Sequence, residues 1–84
     1  MYQLLYHPRV ERQLKKLTLK EREKVIAKID QLTQDPFAQL DIKKLANTTS
    51  SYRLRIGEIR VLYELDQDTQ TLTIVEVGYR GQVY

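Results

Sequence analysis

Residues 52–63 constrain the fold of this 84-residue chain most strongly, because charged and apolar side chains alternate there on both sides of a Gly-Glu pair. Successive side chains of a β-strand point to opposite faces, so Arg53 and Arg55 share one face and the apolar residues around them share the other. Gly57 and Glu58 are suited to a two-residue turn between the strands. The segment predicts a β-hairpin with an apolar underside and a cationic upper face.

Positive charge is concentrated in two parts of the sequence. Residues 9–30 carry eight basic and four acidic residues, and residues 43–60 carry five basic residues against one acidic residue. The rest of the chain is acidic, although the net charge of the whole chain is +3. Clustered positive charge attracts polyanions in a salt-dependent way, so nucleic acid is the first partner to consider. The mixed charges of residues 9–30 also fit a solvated helix face, and that interpretation stays open.

Length and composition favour a single domain that comprises residues 1–84 and has one modest core. Cysteine is absent and His7 is the only histidine, which excludes a disulfide framework and a thiolate metal site. No segment has the roughly 20 apolar residues of a membrane span, and the N-terminus lacks the pattern of a signal peptide. These features predict a soluble cytoplasmic protein without a membrane partner.

The first half of the chain predicts a strand followed by two helices. Residues 2–6 form a short apolar run that fits an edge strand. Residues 8–17 have apolar positions at helical spacing, with a proline in the first turn. Thr18 and Glu21 have the spacing of a capping box, which begins a second helix, and Pro36 stops it. The two helices are expected to form an antiparallel hairpin.

The second half predicts three strands, at residues 52–56, 59–65 and 71–79. Short loops join them, so neighbouring strands must pair in antiparallel fashion. The predicted fold class is α+β, with an N-terminal strand and an antiparallel helical hairpin packed on a curved, mainly antiparallel β-sheet. The helices would cover the apolar face of the sheet and leave the face with Arg53 and Arg55 open.

Strand alternation raises one difficulty on the open face. If Arg60 and Arg80 both point to that face, Leu72 and Ile74 share it with them. Either another molecule covers these apolar residues, or a β-bulge near Gly78 shifts the alternation.

The hairpin residues, the Val77-Gly78-Tyr79-Arg80 segment and the closing Val83-Tyr84 pair together resemble the RelE branch of the RelE/ParE toxin superfamily. The resemblance covers nearly the whole chain. It implies a RelE-like fold and the toxin of a type II toxin–antitoxin system. The implied activity is ribosome-dependent cleavage of mRNA, which inhibits translation. The implied partners are the ribosome, mRNA and a small antitoxin such as RelB, through which alone the toxin would reach operator DNA.

The resemblance also implies roles for individual residues. The implied catalytic residues are Arg55, Arg60, Arg80 and Tyr84, and the implied RNA-binding residues are Lys43, Lys44 and Arg53. In active members, the tyrosine that Tyr84 matches lies close to the scissile phosphate and stacks on a base. The sequence departs from the family at Tyr79, where many relatives carry histidine, and the spacing from Arg80 to Tyr84 is shorter than in the best-known members.

RNA can be cleaved by its own 2′-hydroxyl, which attacks the adjacent phosphate and leaves a 2′,3′-cyclic phosphate and a 5′-hydroxyl. Arginine binds phosphate through two parallel hydrogen bonds and stays charged, so it can orient the phosphate and stabilise its developing charge. Its reference pKa above about 12 makes it a poor general base. We therefore predict catalysis by orientation and electrostatics, with no metal ion or cofactor, and with Tyr84 positioning the base or relaying a proton.

Other interpretations stay open. The chain fits a ParE-like poison of DNA gyrase, or a non-catalytic module that represses transcription only with its antitoxin; the arginine set and Tyr84 favour the endoribonuclease. Arg53 and Arg55 also fit exposed strand residues paired with Glu58 or Glu64. The antitoxin is expected to be an acidic or amphipathic segment that folds on binding.

Overall fold

The computed structural model describes residues 1–80, which form two helices and five strands. Helix α1 comprises Pro8–Lys15 and helix α2 comprises Leu19–Gln34. The strands in chain order are β1 (Gln3–Tyr6), β2 (Ile42–Lys44), β3 (Ser51–Ile56), β4 (Ile59–Asp66) and β5 (Thr71–Tyr79). The order and type of these elements confirm the predicted α+β fold class.

The strands form one sheet with the order β1-β5-β4-β3-β2. Strands β2 to β5 pair with their neighbours in antiparallel fashion, whereas β1 pairs with β5 in parallel. The β3–β4 turn contains Gly57 at φ +59, a backbone conformation that glycine adopts without steric cost and that tight hairpin turns require. The sheet therefore has β1 and β2 at its two edges and the arginine-bearing strands inside it.

Local signals in the sequence explain how α2 begins. The Thr18 side chain accepts a hydrogen bond from the Glu21 amide, and the Glu21 carboxylate accepts one from the Thr18 amide, so the predicted capping box is present. Helix α1 ends at Lys15, two residues earlier than predicted. There the Arg22 side chain donates to the carbonyl of Leu14 at 3.0 Å, which binds the end of α1 to the start of α2.

The hydrophobic core lies on one face of the sheet, which we call the core face. It combines residues of both helices and their connection with residues of β3, β4 and β5. Its members with no more than 2% exposure are Val10, Val25, Ile29, Leu32, Leu54, Val61, Tyr63, Leu72, Ile74 and Val77. We call the opposite side the open face. Arg53, Arg55, Arg60 and Leu62 occupy open-face positions in the pairing of β3 with β4.

A β-bulge interrupts the pairing of β4 with β5. Leu62 lies opposite Glu76, but the next residue, Tyr63, lies opposite Ile74, so Val75 has no partner in β4. An extra residue in one strand reverses the alternation of side chains beyond it. The bulge lies at Val75 and not at Gly78, the position considered from the sequence.

The bulge removes the difficulty that simple alternation raised. Leu72 and Ile74 precede the bulge and are completely buried on the core face. Gly78 follows the bulge and lies opposite Arg60, which puts Arg80 at the next open-face position. Apolar residues before the bulge and an arginine after it can therefore occupy opposite faces of one strand.

The sequence did not predict β2. The segment between α2 and β3 was treated as a connector, but Ile42–Lys44 pairs with β3 and forms an edge of the sheet. Three residues are too few to show a strand period, so only pairing with β3 identifies this strand.

Neither helix within residues 1–80 combines the length and the apolar character needed to cross a membrane.

Candidate functional site

A pocket of about 400 Å³ opens beside β2 and β3, and we call it the cationic pocket. Its lining residues are Lys43, Lys44, Leu45, Ala46, Arg53, Arg55 and Arg60. The lining includes all three residues predicted to bind RNA and two of the four predicted to be catalytic. Pairing of β2, β3 and β4 brings these five residues together from positions up to 17 residues apart in the sequence, although Lys44 lies opposite Tyr52, at a core-face register position.

Two pairs of like charges lie directly opposite each other across neighbouring strands. Lys43 is the register partner of Arg53, and Arg55 is the register partner of Arg60. Like charges in such positions repel and destabilise a sheet. A bound anion removes this repulsion, so the arrangement is typical of a site that binds phosphate or another anion.

The pocket is less exposed than the sequence suggested. Arg53 and Arg60 are each only 7% exposed, whereas the Arg55 side chain, which also lies on β3, is 43% exposed. Arg53 Nε has no hydrogen-bond partner among residues 1–80. A buried guanidinium group has lost its hydration, and it gains strongly from a charged acceptor. The buried arginines therefore favour binding of an anion in the pocket.

The Asp41 carboxylate forms ion pairs with two of the pocket arginines, Arg53 and Arg55. Arg53 Nη2 donates to Asp41 Oδ1 at 3.2 Å, and Arg55 Nε lies 3.7 Å from Asp41 Oδ2. The sequence had suggested Glu58 or Glu64 as the partner of these arginines, and that suggestion was wrong. Asp41 stands two positions before Lys43, so strand alternation places both residues on the same face. That spacing was the signal in the sequence that could have identified Asp41.

Replacing Asp41 with asparagine is expected to raise the affinity of the pocket for RNA about threefold to fivefold, because one partly exposed ion pair contributes up to about 1 kcal/mol. The measurement is fluorescence anisotropy with a short RNA oligonucleotide at fixed, low salt. Glu64→Gln is the matched control, since it removes one negative charge outside the pocket lining. Equal affinities for Asp41→Asn and Glu64→Gln would contradict competition between Asp41 and phosphate.

Of the other two predicted catalytic residues, Arg80 belongs to the described part of the chain and Tyr84 does not. Arg80 is exposed and follows β5 directly, with its amide donating to the Glu58 carbonyl at 2.7 Å. It does not belong to the pocket lining, although Gly78 on the same strand lies opposite Arg60. Tyr84 lies outside the described residues. The roles of Arg80 and Tyr84 therefore stay predictions.

The Tyr79 side chain is held by a hydrogen bond to helix α2. Its hydroxyl donates to Glu21 Oε1 at 2.7 Å. That bond raises the pKa of Tyr79 above its ordinary value and, with the capping bond from Thr18, lowers the pKa of Glu21. At neutral pH Tyr79 therefore keeps its proton and Glu21 stays ionised. Tyr79 is unsuited to act as a general base in this arrangement.

The opposite end of the open face is acidic. A groove of about 590 Å³ lies beside the β4–β5 turn, and its lining includes Glu64, Asp66 and Asp68. No group of three or more histidine, aspartate or glutamate residues within residues 1–80 is arranged to hold a metal ion. Negative charge at this end repels phosphate, so the open face attracts polyanions only towards the cationic pocket.

Residues 4–84 match the family model described as the ParE toxin of the type II toxin–antitoxin system parDE. This chain belongs to the RelE/ParE toxin superfamily. It is also 32% identical over 80 residues to a Methanocaldococcus jannaschii protein that carries the name toxin RelE1. That match covers 93% of this chain and 89% of the relative. The superfamily that the sequence motifs indicated is thus confirmed by comparison over nearly the whole chain.

Solved structures of RelE/ParE superfamily members have the same fold. The archaeal RelE–RelB complex of Pyrococcus horikoshii contains a chain with a TM-score of 0.84 and 26% identity, and the match covers 98% of both chains. The isolated RelE toxin of E. coli gives a TM-score of 0.83 at 19% identity, over 98% of this chain and 87% of that one. At that identity the E. coli protein supports the fold alone. The RelE-like fold class is therefore confirmed.

Proposed function

We propose that this RelE-like toxin is a ribosome-dependent endoribonuclease that cleaves mRNA and thereby inhibits translation. The observation that carries the proposal is the presence of two like-charge register pairs, Lys43 with Arg53 and Arg55 with Arg60, on one side of the sheet. The repulsion within each pair lowers stability, and a polyanion bound in the pocket offsets it. Membership of the RelE/ParE superfamily supports the role of a toxin in a type II toxin–antitoxin system.

In the proposed mechanism, the pocket arginines hold the scissile phosphate while the 2′-hydroxyl of the same nucleotide attacks it. Arg55 and Arg60 donate to the phosphoryl oxygens and stabilise the negative charge that develops there. Arg80 adds a third guanidinium at the open end of β5. Tyr84 stacks on a base or relays a proton. The 2′-oxygen gives up its proton as it bonds to phosphorus, the bond from phosphorus to the 5′-oxygen breaks, and the 5′-oxygen takes up a proton. The products are a 2′,3′-cyclic phosphate and a 5′-hydroxyl.

Three further cations would guide the RNA strand. Lys43, Lys44 and Arg53 contact phosphates that flank the cleaved bond, and these contacts fix the register of the message without reading its sequence. Among residues 1–80, none that lines the pocket is suited to general base catalysis at neutral pH, because the ionisable ones are lysines and arginines. Cleavage of free RNA should therefore be slow, and the ribosome would supply the missing alignment of the message.

An antitoxin is the second proposed partner. The Pyrococcus horikoshii relative was solved as a RelE–RelB complex, and a 25% identical Mycobacterium tuberculosis relative belongs to the complex RelBE2. An acidic or amphipathic antitoxin that folds on this toxin would neutralise or displace contacts of the cationic pocket. Operator DNA would be reached through that antitoxin.

The experiment is to induce the chain without an antitoxin and to map the 5′ ends of cellular mRNAs, followed by cleavage in vitro with and without ribosomes. We expect growth arrest, new 5′-hydroxyl ends within translated regions, and cleavage only of ribosome-bound message. DNA damage and filamentation with intact mRNA would instead indicate a ParE-like poison of gyrase. Normal growth, with operator binding in the presence of antitoxin, would indicate a non-catalytic repressor module.

A further inference from the structure

The second part of β5, residues 75–79, is a sheet edge. Strand β1 stops at Tyr6, which lies opposite Ile74, so beyond that point β4 is the sole strand neighbour of β5 within residues 1–80. On the outer side, the Val77 amide donates to the side-chain oxygen of Gln13 at 2.8 Å. A strand with one partner opens more easily than a central strand. Arg80 follows this edge segment, so its position depends on what holds the end of β5.

Helix α2 supplies that support through its capping box. Glu21 Oε1 accepts the Thr18 amide at 3.0 Å and the Tyr79 hydroxyl at 2.7 Å, so one carboxylate oxygen joins the start of the helix to the last residue of β5. Tyr79 occupies a core-face position opposite Ile59. The next residue, Arg80, donates its amide to the Glu58 carbonyl at 2.7 Å. Two hydrogen bonds from adjacent residues thus hold the strand end, one to helix α2 and one to the β3–β4 turn.

We infer that Glu21 and Tyr79 form an anchor that positions the Arg80 guanidinium group against the reacting phosphate of the RNA. This inference rests on the proposed function, because it assigns Arg80 to the reacting phosphate. Neither residue of the anchor touches the substrate; both act through the backbone of β5. Loss of the Tyr79 hydroxyl leaves the core-face ring in place but frees the strand end to twist, so the Arg80 guanidinium samples more positions and reaches the productive one less often.

The first test measures the anchor without reference to activity. In Tyr79→Phe, amide hydrogen exchange at Arg80 is expected to be about fivefold faster than in the wild type, because one of the two restraining hydrogen bonds is lost. Exchange at Val61, in the centre of the sheet, should not change. Tyr52→Phe is the matched control, since it removes a hydroxyl from β3 and keeps a ring that stacks on Tyr63.

The second test measures the consequence for cleavage. Tyr79→Phe is expected to lower kcat about tenfold with little change in KM, because binding of the message relies on the other cations of the site. Glu21→Gln keeps an oxygen that accepts the Tyr79 hydroxyl, so it should retain most of the activity. When Arg80 is already alanine, adding Tyr79→Phe should cause no further loss, since coupled residues give non-additive effects.

The results separate this inference from the proposed function. Unchanged Arg80 exchange together with wild-type kcat in Tyr79→Phe would overturn the inference, even if pocket variants lose cleavage. Additive losses from Tyr79→Phe and Arg80→Ala would also overturn it, because they would indicate a general effect on the fold. If the wild-type toxin cleaves no message, the proposed function is wrong, and so is the catalytic role of the anchor. Amide hydrogen exchange at Arg80 would still show whether the anchor exists.

Discussion

Replacing Arg60 with alanine is expected to lower ribosome-dependent cleavage of mRNA by about a hundredfold or more, the usual effect of removing a group that stabilises transition-state charge. Arg60 lines the cationic pocket, is 7% exposed and lies opposite Arg55. Its charge acts on a bound phosphate through a poorly hydrated environment, where electrostatic interactions are stronger than in water. The measurement is the initial rate of cleavage of a ribosome-bound message by purified toxin, and growth arrest on induction is the cellular readout.

Two further variants make this result interpretable. Arg12→Ala removes an exposed arginine of α1 that does not line the cationic pocket, and salt screening should hold its rate within about twofold of the wild type. Arg60→Lys keeps a cation but cannot form two parallel hydrogen bonds with phosphate, so it should retain only part of the activity. Thermal unfolding of each variant separates lost function from lost fold. A folded Arg60→Ala protein with wild-type cleavage would exclude Arg60 from catalysis.

Replacing Leu54 with alanine is expected to lower the free energy of unfolding by about 2 to 5 kcal/mol, the usual range for a fully buried leucine. Leu54 stands between Arg53 and Arg55 in sequence, but it is 1% exposed and lies on the core face opposite Ile42 and Val61. Domains of this size have only about 5 to 15 kcal/mol of total stability. The thermal midpoint of unfolding of Leu54→Ala should therefore lie well below that of the wild type. Urea denaturation followed by circular dichroism measures the change.

Leu62→Ala is the matched control, because Leu62 lies on the open face and is only half-buried. Its loss should be about 1 kcal/mol or less, as for substitutions outside the core. The comparison tests the orientation of β3 and β4 directly, since both variants remove the same atoms. Equal losses for Leu54→Ala and Leu62→Ala would contradict the assignment of Leu54 to the core face.

Short-range patterns accounted for much of the fold. Residues 52–63 have the alternation and the turn pair of a hairpin, and Thr18 with Glu21 has the spacing of a capping box, so each pattern lies within one or two elements of secondary structure. Strand β2 and the bulge at Val75 were not predicted at their positions. Both are properties of the pairing between strands, and no residue type marks them in the chain.

The candidate site divides in the same way. Five basic residues were identified from the sequence and line the cationic pocket. The burial of Arg53 and Arg60 was not foreseen, nor was the pairing of Asp41 with Arg53 and Arg55. The bond between Glu21 and Tyr79 joins residues separated by 58 positions. Burial and long-range hydrogen bonds depend on which elements become neighbours, and alternation along one strand does not contain that information.

The sequence by itself determined the α+β class and the residues that give the open face its positive charge, because periodicity, capping and turn chemistry act between residues close in the chain. Its motifs also resembled the superfamily that the comparisons confirmed. Only the tertiary structure decided which cations oppose each other, which carboxylate pairs with them and what holds the end of β5. These depend on strand register and on the docking of helices against the sheet, where a shift of one residue exchanges the two faces of a strand.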